Sequence, residues 1–572
     1  MSPMTAIRPR RAALRRVLLV TAVAVVLVIV AAPGASAHSQ LLSTSPAAGS
    51  IVASPPGEIR LTFDESVEIS LGAIRLYDAA GREVPVGHVR HPGGVAAQVA
   101  TTPPTLQRGS YVVSWRVISA DSHPVSGAFT FTVGTVSDVG SDARGVVSRL
   151  LNDSGSRTVS VLFAVAKWLG LASIAVLIGS LWYILWCRRG GRLTGSGLRF
   201  MTRSVVVAIG STVAVFVLQG PYAGGTGLGD AFRPSVWSDV ATTRFGEAQL
   251  VRIGLLLLAL AAIRTSARAG RTVFATSSVI LSVGIAITVA VAGHGATGRW
   301  IGLGIVADVV HVLAFSVWVG GLFALLSDLR SPAIDPAQLV VAARRFSDSA
   351  LVAVVAVAGS GTAQAMRQIN SVGSVWSTTY GRLLLLKLGI VLAVVVVAAF
   401  SRSVTRRWAI SLTSTETPAP DGGDEPVVLR GRLRRNVAIE VVGVAVVLAV
   451  SVLLSGTIPA REAVGLPFSQ TVVGDGGFAE ILVSPARAGT VAIHVTVTNP
   501  DGTVPDLSSL TVDLDLPERQ LGPFKVPMTR YASNHYIDDR ANIPFAGTWR
   551  LTVRASVGDF DSRTFVATVP VK

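Results

Sequence analysis

The stretch Ala307-Asp-Val-Val-His-Val-Leu-Ala-Phe-Ser-Val-Trp-Val-Gly-Gly321 places two ionisable side chains inside an apolar run of membrane-helix length. Asp308 and His311 are three residues apart, so on a helix they share one face. The closing Gly320-Gly321 pair would let a neighbouring helix approach closely. Because polar groups inside a membrane span are costly, the pair predicts either a functional site or a hydrogen-bonded lock between two helices.

Eight apolar segments of spanning length follow one another between residues 158 and 457, and they predict an eight-helix transmembrane bundle. The segments are 161–187, 204–222, 246–264, 273–292, 303–326, 347–366, 381–400 and 437–457. Four basic residues lie toward the outer ends of these spans, where long basic side chains usually reach back to the membrane surface. These residues are Lys167, Arg252, Arg382 and Lys387.

The N-terminus has the three parts of a secretory signal peptide, which we place at residues 1–37. A basic start precedes the apolar stretch Val17–Ala32, and the small-residue site Ala35-Ser-Ala37 follows it. Cleavage after Ala37 would make His38 the new N-terminus and would direct the first span inward. The four inner loops with their flanks then carry eighteen arginines, and the three outer loops about five, as the positive-inside rule requires. This predicts a multi-pass protein of the bacterial cytoplasmic membrane with both terminal domains outside.

The charge distribution and the cysteine content argue against a nucleic-acid-binding protein and against a protein with disulfides or a cysteine-based metal centre. The chain has 572 residues, of which 50% are hydrophobic and 15% charged, and its net charge is +16. The basic residues cluster in the signal peptide and beside the apolar segments, so they indicate membrane orientation and no nucleic-acid partner. The single cysteine, Cys187, rules out an internal disulfide and a cysteine-based metal centre.

The segment 38–134 has the alternating pattern of half-buried strands, and it predicts a small β-sandwich. The strands expected from this pattern are Glu58–Phe63, Ala73–Tyr77, Tyr111–Val117 and Gly127–Val133. Residues 135–157 are rich in Ser, Gly and Asp and are interpreted as a linker.

Three stretches of this outer domain resemble the CopC family of periplasmic copper-binding proteins. They are His38-Ser-Gln-Leu-Leu-Ser-Thr-Ser-Pro-Ala-Ala-Gly49, Phe63-Asp-Glu-Ser-Val67 and Trp115-Arg-Val-Ile-Ser-Ala-Asp-Ser-His-Pro-Val-Ser-Gly127. The resemblance implies one Cu(II) held by the amine and imidazole of His38 together with Asp121 and His123, and Glu65 as a supporting neighbour. Cu(II) prefers such a tetragonal set of nitrogen and oxygen donors. Without the resemblance, an Asp-x-His sequence in a loop is most often a turn with a solvated histidine.

The membrane segment resembles the CopD family, and residues 38–457 as a whole resemble CopC–CopD fusions of the YcnJ type. The resemblance rests on the stretch 307–321 quoted above and on Tyr380-Gly-Arg-Leu-Leu-Leu-Leu-Lys387, with support from Ala292-Gly-His-Gly-Ala296 and Asn436-Val-Ala-Ile-Glu440. We expect a metal path toward the outer face in which His294 joins Asp308 and His311.

Residues 461–572 return to the period-two pattern and predict a second outer β-sandwich, with His494 and His535 as weak candidates for copper contacts.

The leading functional hypothesis is copper binding outside the cell and copper transport, in the direction of uptake. Its partners would be the copper ion, the lipid bilayer and extracytoplasmic copper chaperones. One alternative is a copper buffer or sensor without transport, and intramembrane Asp and His argue against a mere anchor. A copper redox enzyme is the other alternative, but a carboxylate ligand at Asp121 would block the positions that oxygen needs. We therefore expect no enzymatic activity.

Overall fold

The structure is a computed structural model, and its contacts divide the chain into a helical unit within residues 155–457 and a β unit within residues 36–154 and 458–572. It describes residues 41–46, 50–52, 54–63, 65–70, 74–119, 124–134, 156–188, 195–266, 268, 270–293, 300–369, 375–376, 378–412, 426–457, 468–474, 476–500, 503–558 and 561–571. The signal peptide assigned to residues 1–37 lies outside the described residues.

The N-terminal part of the β unit is a sandwich of two sheets, as the strand pattern predicts. One sheet has the order β1-β3-β7, and the other has the order β2-β9-β8-β5-β6 with β4 also paired to β8. The strands are Leu41–Ser45 (β1), Ile51–Val52 (β2), Ile59–Phe63 (β3), Val67–Glu68 (β4), Ile74–Asp78 (β5), Glu83–Val84 (β6), Gln98–Thr101 (β7), Gly109–Ser119 (β8) and Pro124–Val133 (β9).

Alternating apolar residues from both sheets form one core between them. Phe63 of β3 meets Trp115 of β8 edge to face, with ring centroids 5.3 Å apart. Gly127 pairs with Trp115 across β8 and β9, and a Cβ at this glycine would lie 2.5 Å from the indole ring. The glycine is therefore required by the space that the tryptophan ring occupies.

The helical unit contains nine α-helices within the described residues. They are Arg157–Trp182 (α1), Gly195–Gly224 (α2), Pro234–Ala241 (α3), Arg244–Thr265 (α4), Arg271–Val291 (α5), Ile301–Arg330 (α6), Pro336–Gln368 (α7), Thr379–Ser411 (α8) and Pro426–Leu454 (α9). Side-chain caps begin several of them, because an unpaired backbone N–H at a helix start needs an acceptor. Asp335 caps α7 by accepting from the Gln338 amide, and Thr378 caps α8 by accepting from the Gly381 amide.

Seven helices in the described chain are long and apolar enough to cross a membrane, against eight segments predicted from the sequence. They are α1 with its continuation to Cys187, α2, α4, α5, α6, α8 and α9. The remaining segment, 347–366, lies within α7, which forms a 33-residue helix but is not among the seven. The central region is thus helical with several apolar helices, and the count of eight spans stays a prediction.

Glycine allows α1 and α6 to cross with their backbones in contact, as the Gly-Gly pair of α6 predicts. The Cα of Gly320 lies 2.7 Å from the position that a Cβ on Gly179 would occupy. Such a Cβ would also overlap the Ser316 carbonyl oxygen. Beside this contact, the Ser180 hydroxyl donates to the Gly320 carbonyl at 3.2 Å. The neighbouring Gly321 faces the ring of Phe346 on α7.

The C-terminal part of the β unit is a second sandwich, with sheet orders β10-β11-β12-β16-β15 and β14-β13-β17-β18. Both sheets contribute to a single core around the fully buried Trp549. The strands are Phe468–Gly474 (β10), Gly477–Ser484 (β11), Gly489–Thr498 (β12), Leu507–Leu516 (β13), Leu521–Val526 (β14), Thr529–Ala532 (β15), His535–Ile543 (β16), Gly547–Val557 (β17) and Asp561–Val571 (β18).

Candidate functional site

Three of the four residues assigned to the outer copper site, His38, Asp121 and His123, lie outside the described residues. The structure does describe the strands on either side of the Asp-x-His segment. Strand β8 ends at Ser119, β9 begins at Pro124, and the two strands are antiparallel neighbours. The segment therefore joins the paired ends of a hairpin.

The fourth residue, Glu65, is half-buried and lies just before the short strand β4. Val67 of β4 pairs with Ser119 at the end of β8 in an antiparallel ladder. Glu65 lies two positions before Val67, and Asp121 lies two positions after Ser119. This register places Glu65 at the same end of the sheet as the β8–β9 connection.

Asp308 and His311 share one face of α6, and both form hydrogen bonds to α7. The Nδ1 atom of His311 lies 3.0 Å from the Ser360 hydroxyl oxygen. The Gln364 side-chain amide donates to a carboxylate oxygen of Asp308. Ser360 and Gln364 are four residues apart, so they form a matching polar face on α7. Gly361 packs beside the imidazole, since a Cβ there would be in ordinary van der Waals contact with the His311 ring at 3.4 Å.

A third helix brings a positive charge to this pair. Lys387 of α8 lies close enough to interact electrostatically with the Asp308 carboxylate and with the His311 ring. The three side chains line one cavity of about 300 Å³ inside the helical unit. The cavity has the size of a small-molecule site and combines apolar walls with a few polar groups, as such sites usually do.

Arg252 also lines this cavity, and the expectation that its side chain reaches the membrane surface is wrong. The residue is only 7% exposed, and its guanidinium bonds to neighbours on α4 and α5. It donates to the Gln249 side chain at 2.7 Å, to the Thr288 hydroxyl at 2.9 Å and to the Thr288 carbonyl at 2.8 Å. Sequence position alone could not show which way the side chain turns.

No group of three or more His, Cys, Asp or Glu side chains in the described part of the chain is placed to hold a metal ion. The expected membrane path includes His294, which lies outside the described residues. In the described part of the chain, Asp308 and His311 are two neighbouring donor groups, and each is hydrogen-bonded to α7.

A second pair of histidines lies in the C-terminal sandwich. The rings of His494 on β12 and His535 on β16 have centroids 5.5 Å apart. His535 is 1% exposed, and neither of its ring nitrogens has a hydrogen-bond partner in the described structure. Burial, reinforced by the nearby His494, lowers the pKa of His535 from its ordinary 6.5 to about 4. Asp539 lies 4.0 Å from the His494 Nε2 atom.

Comparison with known proteins matches three parts of the chain to copper resistance families. Residues 41–134 match the CopC domain, residues 158–303 the N-terminal domain of copper resistance protein D-like proteins, and residues 340–454 copper resistance protein D. Inner membrane protein YebZ of Escherichia coli is 30% identical over 36% of this chain and 70% of its own length. The chain belongs to the CopC–CopD family.

Two further relatives match the chain over very different lengths. Copper transport protein CutJ of Bacillus subtilis is 24% identical over 92% of this chain and 94% of its own length. Copper resistance protein C of Escherichia coli is 34% identical over 19% of this chain and 90% of its own length. The CopC and CopD domains thus occur here in one chain, as the resemblance implied.

The two CopD matches cover most of the residues that line the cavity, but they do not cover Asp308 and His311. Lys167 and Arg252 lie in the first matched range, and Lys387 lies in the second. Asp308 and His311 fall in the unmatched stretch between the two ranges. The structure therefore places Asp308 and His311 in the same cavity as residues from both matched ranges, which the family matches alone do not show.

The sequence analysis did not identify the side chains of α7 that bond to Asp308 and His311 in the cavity. Ser360 and Gln364, four residues apart with Thr362 between them, interrupt a stretch of small and apolar residues, which was a readable signal. Gln368, one turn further, also lines the cavity and is 8% exposed. Its side-chain oxygen is buried without a hydrogen-bond partner in the described structure.

Proposed function

We propose that this CopC–CopD chain binds Cu(II) outside the cell and carries copper inward across the cytoplasmic membrane. The observation that carries the proposal is the presence of a CopC domain and a CopD domain in one chain. The helical unit supports it with several helices of spanning length around a cavity. The topology that we propose has eight spans and places both terminal domains outside, where they meet extracytoplasmic copper chaperones.

The proposed outer site consists of the amine and imidazole of His38 with Asp121 and His123, and Glu65 supports it from the β4 side. The hairpin of β8 and β9 supports the assignment, because it holds the two ends of the Asp-x-His segment at neighbouring positions. Since the N-terminal amine is one of the donors, adding a residue before His38 removes it.

Copper titration of the mature chain tests this site. We expect one Cu(II) to bind tightly, and we expect both an added N-terminal glycine and the substitution His123→Ala to weaken that binding strongly. His88→Ala is the matched control, because His88 is exposed on the same domain and is not part of the proposed site. Parent-like titration curves for the two altered proteins would show that the assigned ligands are wrong.

The proposed membrane path runs through the cavity, with His294, Asp308 and His311 as its metal-binding groups. His311 is ten residues into α6, on the order of 15 Å along the helix axis at 1.5 Å per residue. That position is shielded within the bundle and reachable from the end of the helix. A neutral imidazole and a carboxylate are donors that copper accepts.

A pair of variants separates this role from the structural alternative. His311→Ala removes the imidazole, whereas Ser360→Ala removes only its hydrogen-bond partner on α7. If His311 binds copper in transit, His311→Ala abolishes copper accumulation at normal protein abundance, and Ser360→Ala retains most of it. If the bond between α6 and α7 is what matters, both variants lower the amount of protein in the membrane alike.

The second candidate function is a copper buffer or sensor without transport. It is favoured by the hydrogen bonds that already tie Asp308 and His311 to α7, since these fit a purely structural pair. Cellular copper content under copper starvation, with and without the protein, distinguishes the two functions. Transport predicts a lower copper content in cells that lack the chain, whereas a buffer or sensor without transport predicts the same copper content in both.

A further inference from the structure

Two histidines lie on the same face of the sheet β10-β11-β12-β16-β15 in the C-terminal sandwich. In the antiparallel pair of β12 and β16, His535 lies opposite Thr496, which is two residues after His494. Since side chains two apart on a strand point the same way, the two histidines are diagonal neighbours on one face of the sheet. The adjacent residues Val495 and Tyr536 belong to the sandwich core, so both histidines point away from that core.

His535 is buried although it points away from the sandwich core. It is 1% exposed, and neither of its ring nitrogens has a hydrogen-bond partner in the described structure. The Tyr531 ring of β15 packs edge-on against it, with ring centroids 5.4 Å apart. Buried polar atoms are rarely left without a partner, because the bonds they lose to water have to be replaced. The two nitrogens therefore indicate a ligand that an imidazole can bind, which is a hydrogen-bonding group or a metal ion.

The neighbouring ring of His494 favours the metal ion. The centroids of the His494 and His535 rings are 5.5 Å apart. When two imidazoles share one ion, two metal–nitrogen bonds of about 2 Å and a ring radius of about 1 Å at either end set the centroids about 6 Å apart. The observed separation is close to this value. One ion can therefore bind a nitrogen of each ring at once.

The number of donor groups selects the kind of ion. Besides the two imidazoles, the Asp539 carboxylate lies 4.0 Å from the His494 Nε2 atom. The described part of the chain offers no group of three His, Cys, Asp or Glu side chains placed for a metal. Zn(II) takes four ligands and Cu(II) prefers a tetragonal set, so two imidazoles are too few for either ion. Cu(I) has a closed shell and a single charge, and it forms stable complexes with two imidazoles alone.

Exposure increases from His535 toward the solvent, and this gives an ion a way to reach the pair. The His494 side chain is 19% exposed, and the Asp539 side chain is 68% exposed. An exposed carboxylate attracts cations to its neighbourhood. A cation drawn to Asp539 would meet the His494 ring first and the buried His535 ring second.

We propose that His494 and His535 together bind one Cu(I) ion on the C-terminal sandwich. This site uses none of the ligands proposed for the outer Cu(II) site, which are His38, Asp121 and His123. It would bind copper whether or not the helical unit transports the metal. Binding alone is proposed, with no change in the oxidation state of the ion.

Hydrogen–deuterium exchange on the full-length chain in detergent tests the site at the two strands that form it. Cu(I) is added in the absence of oxygen, and exchange is compared with and without the metal. We expect Cu(I) to slow amide exchange in β12 and β16, because one ion would hold the two strands together. His494→Gln should remove this effect, and Thr490→Ala should retain it. Thr490 is the matched control, because it is exposed on the same strand and lies four residues from His494 on the same face.

Two outcomes of this experiment overturn the proposal. One is unchanged exchange in the parent chain when Cu(I) is added, which would mean that His535 only fills space. The other is equal slowing in the parent and in His494→Gln, which would mean that copper acts from a different place. Exchange without metal also shows whether the strands of each variant are folded.

Retention of copper against the Cu(I) chelator bicinchoninate gives a second measurement. It is made in a chain that also carries His123→Ala, since this change weakens the proposed outer site. His494→Gln and His535→Phe should each retain one Cu(I) fewer per chain than Thr490→Ala. Equal retention in all three folded variants would show that the two histidines bind no copper. Displacement of the bound Cu(I) by excess Zn(II) would show that the choice of ion is wrong.

Discussion

Acid is expected to destabilise the C-terminal sandwich through His535. The folded protein lowers the pKa of this buried histidine from 6.5 to about 4, so the unfolded chain binds its proton more readily. Its contribution to stability is therefore complete above about pH 6.5 and is lost as the pH falls toward 4. Within the described structure, neither ring nitrogen of His535 has a hydrogen-bond partner. No acceptor, such as a carboxylate, therefore bonds to the ring and favours its protonated form.

The size of the effect follows from the two pKa values. A difference of about 2.5 units corresponds to about 3 kcal/mol at 1.36 kcal/mol per unit. About half of this should be lost near pH 5.3. His494 adds to the same trend, because burial lowers its pKa as well, although Asp539 partly opposes the shift.

Hydrogen–deuterium exchange on the full-length chain measures this loss within the domain itself. The protection of amides in β12 and β16, corrected for intrinsic exchange rates, gives the opening free energy at each pH. His535→Phe should reduce the decrease in opening free energy between pH 6.5 and 4.5. His88→Gln should leave that decrease unchanged, because His88 is exposed on the N-terminal sandwich. An equally steep decrease in His535→Phe would refute the assignment to this histidine.

Three further outcomes follow from packing and capping. Gly320→Ala should cost about 2 kcal/mol or more and lower the melting temperature in detergent, while Gly302→Ala on the same helix, with no atom near an added Cβ, should not. Gly127→Ala should destabilise the N-terminal sandwich by about 1–3 kcal/mol, seen by thermal unfolding, because the added methyl meets Trp115. Asp335→Ala should cost about 1 kcal/mol by removing the cap of α7, and Asp335→Asn should retain most of it.

Much of the fold is readable from periodicity. Period-two patterns located β3, β5, β8 and β9 in the first sandwich and predicted the second sandwich at residues 461–572, because one face of each strand is buried. Apolar run length located the long helices for a similar reason. Helix α7 was harder to classify, since Ser360, Gln364 and several small residues dilute its apolar stretch.

The cavity was less predictable, because it depends on which helices become neighbours. The spacing of Asp308 and His311 gave their common face, but no local pattern shows that α7 and α8 contribute to that face. Arg252 illustrates the same limit. Its position near a helix end favours a side chain that reaches the membrane surface, whereas its bonds to Thr288 depend on the packing of α4 against α5.

The crossing of α1 and α6 has a consequence for how the helical unit can move. Where Gly179 meets Gly320, main chain touches main chain, and no rotamers exist there that could rearrange to absorb a displacement. Sliding either helix would separate surfaces that have no alternative fit. The two helices are therefore expected to move together as one rigid body in any rearrangement of the helical unit.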